Sequence, residues 1–485
     1  MSANVQRVAV LLAAGLLVWP TFAHSLEFPY FFKDPLHTMP DVVEKGVILP
    51  GDSTPIPRTA SKDFSQPLTL AEAVDLALSK NQKVKGAWAD IKVQAGALGE
   101  AYAQYLPVIN GSANWTKDAI HYSDSRYSSS DASRYTVQAS ASWRLFDFGG
   151  RAANRHYAEN TLAAALASYD ATLQDALSGV TQAYFDAVTA GASLKAKTKD
   201  EEVAWSTLSS AKDREARGAT SKSDTLRATT ALARASLDKN RARGDYQKSL
   251  ALLKYYLGLH GGTELVLPSD LNEPQGGVVE RKELSLWLEE AQKNHPYVIS
   301  LKKQLEAAQQ QVTVTKSAGL PTVNLSGNYY QNTRPGEAVT PSGAQETTLI
   351  VAVTIPLFDG FASTYKLRGA QARVEKQTAA LADIEQQIAR EVIKAYSDTT
   401  SALQNLEASA TLLESAQSSL AVSQRKYDKG AADITEVLST QAALADAWNE
   451  RVRCLSEWHS SRLQLLASTG RMGRFAVSDA SKAKP

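Results

Sequence analysis

The side chains best able to do chemistry are thinly spread along this chain. Its seven histidines, His24, His37, His121, His156, His260, His295 and His459, share no spacing that would gather metal ligands. A single cysteine, Cys454, excludes an internal disulfide framework and any cysteine-based metal site. No nucleophile elbow, phosphate loop or paired metal-binding histidine motif is present, and the glycines fall at turns. The sequence therefore points away from an enzyme and calls for no cofactor. The short polar turns that do stand out, Arg217-Gly218-Ala219 and Lys429-Gly430-Ala431, are near-copies of one another.

Those turns belong to a longer repeat. Leu145-Phe146-Asp147 recurs as Leu357-Phe358-Asp359, Tyr184-Phe185-Asp186 is echoed by Tyr396-Ser397-Asp398, and Leu257-Gly258 by Thr469-Gly470, always at an offset of 212, as from 145 to 357. Upstream, Leu106-Pro107-Val108-Ile109-Asn110 matches Leu320-Pro321-Thr322-Val323-Asn324 at an offset of 214, as from 106 to 320. The chain is written twice, and a loop between two strands absorbs the drift.

The hydrophobic period switches within each copy. A helical pattern over about 68 to 105 closes at Leu106-Pro107, because proline disfavours helix at the residue before it. Alternation follows: Tyr135, Val137, Ala139, Ala141, Trp143 and Leu145 share one face, with Thr136, Gln138, Ser140, Ser142 and Arg144 on the other. Leu349, Val351, Val353, Ile355 and Leu357 repeat the pattern. Strands of roughly ten residues, apolar on one side and polar on the other, are the mark of a membrane β-barrel, although a soluble sandwich alternates in the same way. Aromatics near the strand ends and loops (Trp115, Tyr122, Tyr127, Tyr135, Trp143, Tyr329, Tyr330) favour the barrel, whose interfaces carry aromatic girdles. Four strands are expected, at about 108 to 117, 134 to 146, 322 to 332 and 347 to 358. Four strands leave two open edges that hydrocarbon does not tolerate, so other copies must complete the barrel.

Long proline-free helical patterns follow each hairpin, from Gly150 to about Arg217 and from Ala362 to about Lys429. Some seventy residues at ~1.5 Å each give about 100 Å of rod. Shorter helices follow at about 220 to 257 and 432 to 469, so that a long helix packs against a stacked pair in each copy. Apolar positions eleven apart, such as Leu166 and Leu177, suggest helices straighter than a uniform left-handed coil.

The fold class expected is an α+β membrane protein: long antiparallel, coiled-coil-like periplasmic helices with a four-stranded share of a barrel. Arg7 and the apolar run Val8 to Val18 read as an export signal in residues 1–25. A proline-rich extension occupies 26–66, the copies span 67–259 and 283–470 with a linker at 260–282, and 471–485 form a loose tail. Beyond residue 25 no apolar stretch is long enough for a membrane helix, so insertion in outer-membrane lipid must use strands. Charge is balanced, 52 Lys plus Arg against 51 Asp plus Glu, which gives no nucleic-acid footprint.

In this order of elements the sequence resembles the TolC family of outer-membrane efflux proteins. The marks are Leu68-Thr69-Leu70-Ala71-Glu72-Ala73-Val74 with Asn81, the Leu-Pro before each first strand, the two Leu-Phe-Asp exits, and Tyr427-Asp428-Lys429-Gly430-Ala431-Ala432-Asp433-Ile434-Thr435-Glu436. The resemblance implies a homotrimer with a twelve-stranded barrel in the outer membrane and a periplasmic tunnel. It also implies docking to a periplasmic adaptor (membrane fusion protein) and an inner-membrane ABC or proton-driven transporter, in type I protein secretion or drug efflux. The lack of a cysteine after the apolar run tilts the cargo toward protein. By the same resemblance, Arg217, Gly218, Ala219, Lys429, Gly430 and Ala431 match the adaptor-docking turns, and Asp224, Tyr427 and Glu436 match residues of a periplasmic gate. The family's basic latch residue falls at Ala432, so gate closure is expected to rest on packing and on hydrogen bonds from Tyr427, with little response to salt. The competing reading is a periplasmic coiled-coil adaptor or scaffold, which accounts for the helices but not the strands.

Overall fold

The computed structural model describes residues 34–41, 43, 66–120, 130–218, 221–268, 283–331, 345–429, 431, 433–470 and 472. The export signal expected at 1–25 lies outside them, as do most of the proline-rich extension, most of the linker, nearly all of the tail, and Tyr122 and Tyr127.

The elements run in the same order twice. The first copy holds α1 (Leu70–Lys80), α2 (Gln82–Ala103), β1 (Val108–Ile120), β2 (Ser130–Phe146), α3 (Gly150–Ala216) and α4 (Lys222–Tyr256). The second holds α5 (Leu284–Asn294), α6 (Pro296–Ser317), β3 (Thr322–Gln331), β4 (Gln345–Thr354), α7 (Ala362–Asp428) and α8 (Ile434–Ser468). Both long helices have 67 residues and both returning helices 35, so the duplication is kept in the lengths. Around α3 pack α2 and α6 along one half and α4 and α8 along the other. A stacked pair of shorter helices therefore accompanies each long one.

One expectation fails in detail. The helix foreseen over about 68 to 105 is two helices, broken at Asn81, whose extended backbone (φ −63°, ψ 124°) and side-chain oxygen cap α2 by accepting from Lys83 N–H. His295 makes the same break between α5 and α6. Two glycines force the joints. Gly258 and Gly470, both at positive φ, end the stretches after α4 and α8 and press their backbones against Lys80 and against His295 and Pro296.

The main apolar core lies where α1, α2, α3 and the end of α4 meet, around Leu68, Val74, Ile91, Leu173, Leu177, Val180 and Leu253. Tyr184 ties this core to the chain before α1 by donating its hydroxyl to the carbonyl of Leu68. A smaller core, around Trp287, Val298, Ile388 and Val392, does the same work in the second copy. From the proline-rich extension, Thr38 donates its hydroxyl to the carbonyl of Ala95, which seats residues near 38 on α2.

The four strands form one antiparallel sheet in the order β1-β2-β3-β4, with Ala113 opposite Val137, Ala141 opposite Gly327 and Gly327 opposite Leu349. β4 stops four residues short of the expected end because Pro356 has no N–H to donate. The burial of this sheet is inverted. Tyr135, Val137, Trp143 and Leu145 are exposed, whereas Thr136 between them is buried and Gln138 donates to the hydroxyl of Tyr330. On β4, Leu349, Val351 and Val353 stand 61 to 75% exposed. A soluble sheet hides its apolar face; this one offers it to its surroundings. Among the described residues no helix is long and apolar enough to cross a membrane.

Candidate gate and docking tips

Far from the sheet, each long helix turns back on itself. Gly218 takes the left-handed conformation (φ +69°) and donates its N–H to Glu215 O at 2.9 Å, and an added Cβ there would meet open space. Arg217 and Lys429 are exposed, and Ala431 N–H closes its turn on Lys426 O at 2.9 Å. Ala219, Gly430 and Ala432 lie outside the described residues.

Asp224 and Glu436 occupy equivalent positions in the two copies, in the first turns of α4 and α8. There an acid favours the helix by its charge. Asp224 builds a capping box with Ser221, whose hydroxyl it accepts at 3.0 Å. Glu436 accepts from Ser423 Oγ at 3.3 Å and lies 3.4 Å from Lys426 Nζ. Tyr427 is buried in a cluster with Leu208, Ala211, Ala228, Ile434 and Val437, which joins α3, α4, α7 and α8 near their turns.

The structure supplies cations that the sequence reading missed. The Arg214 guanidinium lies 4.4 Å from the centre of the Tyr427 ring and donates to the Tyr427 carbonyl at 3.3 Å. Arg227 donates to Thr435 Oγ1 at 3.1 Å and lies 3.9 Å from Asp224 Oδ1. Both arginines stand on the first hairpin and hold the second. The basic residues beside Tyr427 and Asp224 are thus Arg214 and Arg227 of the first hairpin. Tyr427 is held through its ring and carbonyl, with no hydrogen bond from its hydroxyl among the described contacts. Arg214 was findable, since it is the repeat counterpart of Lys426, a basic residue at the same place before each turn. Arg227 has Ser439 as its counterpart and gave no such signal.

Two stretches, residues 73–259 and 287–471, match the family model for outer membrane efflux proteins. The chain belongs to that family. Protein CyaE of Bordetella pertussis is 33% identical over 466 residues, 96% of each chain. The fold is that of the solved outer-membrane channel CmeC of Campylobacter jejuni (TM-score 0.75, 16% identity, 90% of this chain and 98% of that one). It is also that of the outer membrane protein VceC of Vibrio cholerae (TM-score 0.71, 18% identity, 83% of this chain and 96% of that one). The protein is thus an outer-membrane channel for type I secretion or drug efflux, its helices forming a tunnel in the periplasm and its four strands one share of a barrel closed by three copies. Channels of this family are trimers that work with adaptors and inner-membrane transporters. The adaptor or scaffold reading is set aside, because it has no use for an outward-facing apolar sheet.

Proposed function

We propose that the joined helix tips are the closed periplasmic entrance of this channel, and that the exposed turns beside them receive the adaptor. The observation that supports this is the grip of one hairpin on the other. Arg214 on Tyr427 and Arg227 on Thr435 bridge the two hairpins where a tunnel of helices must be narrowest if it is to close. An entrance held in this way opens when the hairpins part, which breaks both arginine contacts and uncovers Tyr427. Glu436, brought to a threefold axis by three copies, sets a ring of negative charge that draws cations. Arg217, Gly218, Lys429 and Ala431 are exposed at these turns and are the surface offered to an adaptor.

Planar-bilayer recording tests the gate. Arg214→Ala and Arg227→Ala raise the single-channel conductance of the closed channel, and the double variant raises it most. Arg227 pairs with Asp224 on its own helix, and its contact across the hairpins is to the neutral Thr435, so ionic strength alone opens the closed channel little. Closed-channel conductance unchanged in both variants and in the double variant would rule out an arginine-held gate. Docking has its own test: Gly218→Trp stops export while trimer and membrane insertion persist, and normal export would refute it.

A further inference from the structure

The two copies differ at the junction between barrel and helices. In the first copy Arg151 plugs the groove between α2 and α3. Its guanidinium lies 5.0 Å from the centre of the Tyr105 ring, donates to the carbonyls of Arg144 (2.7 Å) and Leu145 (3.0 Å), and pairs with Asp147 at 3.3 Å. Trp143 Nε1 completes the plug by donating to the carbonyl of Tyr105 at 2.9 Å.

The second copy keeps the frame and removes the plug. Asp359 accepts from Ser363 N–H at 2.7 Å, as Asp147 accepts from Arg151 N–H at 2.9 Å, so the positions are equivalent in space as well as in sequence. At the places of Arg151, Tyr105 and Trp143 stand Ser363, Gly319 and Ile355. A groove of about 580 Å³ opens there between α6 and α7, lined by Gly319, Asp359, Ser363, Tyr365, Lys366 and Arg373. Lys366 and Arg373 have no counterpart charge in the first copy, which carries Asn154 and Thr161. Among the described residues neither has a carboxylate within ion-pair distance.

Directly beside the groove the chain exposes a run of apolar side chains. Leu357 is 92% exposed, Phe358 75% and Phe361 64%. Phe361 is held at φ +66° where the first copy has Gly149, a conformation strained for a bulky residue. These residues continue the outward-facing apolar strip of β4, at the end of the strand next to the helices.

We propose that this groove binds the headgroup of a phospholipid of the periplasmic leaflet that carries a primary ammonium. The ammonium takes the place of the missing Arg151 guanidinium, against Asp359. Lys366 and Arg373 receive the phosphate. Leu357, Phe358 and Phe361 lie against the acyl chains, as aromatic residues do at a membrane interface. A zwitterion suits this set better than an anion, because the lining itself carries both signs.

The test uses the intact trimer in nanodiscs and native mass spectrometry. Wild type retains phosphatidylethanolamine and holds phosphatidylcholine at least several-fold less, because a quaternary ammonium has no N–H to donate. Lys366→Glu with Arg373→Glu loses the retained lipid. So does Gly319→Tyr with Ser363→Arg, which rebuilds the plug of the first copy and leaves the trimer intact. Equal retention of the two lipids, or retention unchanged in the rebuilt variant, would overturn the proposal. Wild type that holds no lipid while the variants weaken the trimer would show the groove to be filled by the next copy, and displacement by inorganic phosphate alone would show an ion site.

Discussion

His295 caps α6 with a ring nitrogen that accepts Tyr297 N–H at 3.3 Å, a bond that a protonated Nδ1 would lose. Burial makes the charged form costlier still and pushes its pKa down to about 4. Asp170 on α3 is shifted the other way, to about 6, also by burial. The signs oppose. A depressed histidine contributes stability that is present above its unfolded value near 6.5 and lost as pH falls toward 4. A raised carboxyl contributes stability that is present below 3.8 and lost as pH rises through 6. Measured against wild type, Asp170→Asn loses thermal stability on acidification from pH 7 to 4.5, and His295→Asn, which still caps, gains it. Variants that both parallel wild type would show that neither group is desolvated in the trimer. At this scale the sequence was legible where a residue carries its own signature. Glu436 and Asp224 sit at helix starts where acids belong, and Tyr427 precedes a glycine turn. Arg227 was not legible, because its role depends on which face of another hairpin it meets.

Two joints, one per copy, decide how the helices stack. At each, a positive-φ glycine closes on the break between two short helices, Gly258 on Lys80 and Gly470 on His295 and Pro296. A Cβ on Gly470 would lie 2.7 Å from Pro296 Cδ and 3.1 Å from His295 Cα. Gly218 has nearly the same φ, +69° against +74°, and nothing within 4 Å. The pair separates strain from packing. Gly218→Ala costs about 1 kcal/mol, from the backbone alone. Gly470→Ala costs a further 1 kcal/mol or more as the joint is pushed apart. Thermal unfolding of the two variants reads the difference, and equal losses would mean that the joint yields freely. Strands and long helices were legible because each carries its period over many residues. The joints were less so: His295-Pro296 carries its own break, since proline disfavours helix at the residue before it, but Asn81-Gln82 interrupts a helical pattern with only a capping side chain to mark it.

One chain cannot close its own sheet, since β1 and β4 each keep an open edge. The duplication says how the next copy fills it. The β2 to β3 pairing places Ala141 opposite Gly327, and the repeat carries those positions to Val353 on β4 and Ala113 on β1. In the trimer Val353 of one copy therefore faces Ala113 of the next, in the register that the two copies already use within the chain. The shortfall of strands was legible from a count; the register across copies needed the structure, because a bulge between Arg144 and Phe146 shifts the pairing by a residue that no periodicity reveals. Cysteine crosslinking in isolated outer membranes tests the channel most directly, using Ala113→Cys with Val353→Cys in a chain whose buried Cys454 is replaced by serine. Oxidation converts the monomer band to a ladder that ends at three chains, and neither single variant crosslinks. A chain that stays monomeric on oxidation, or a ladder that runs beyond three, would contradict a barrel closed by three copies.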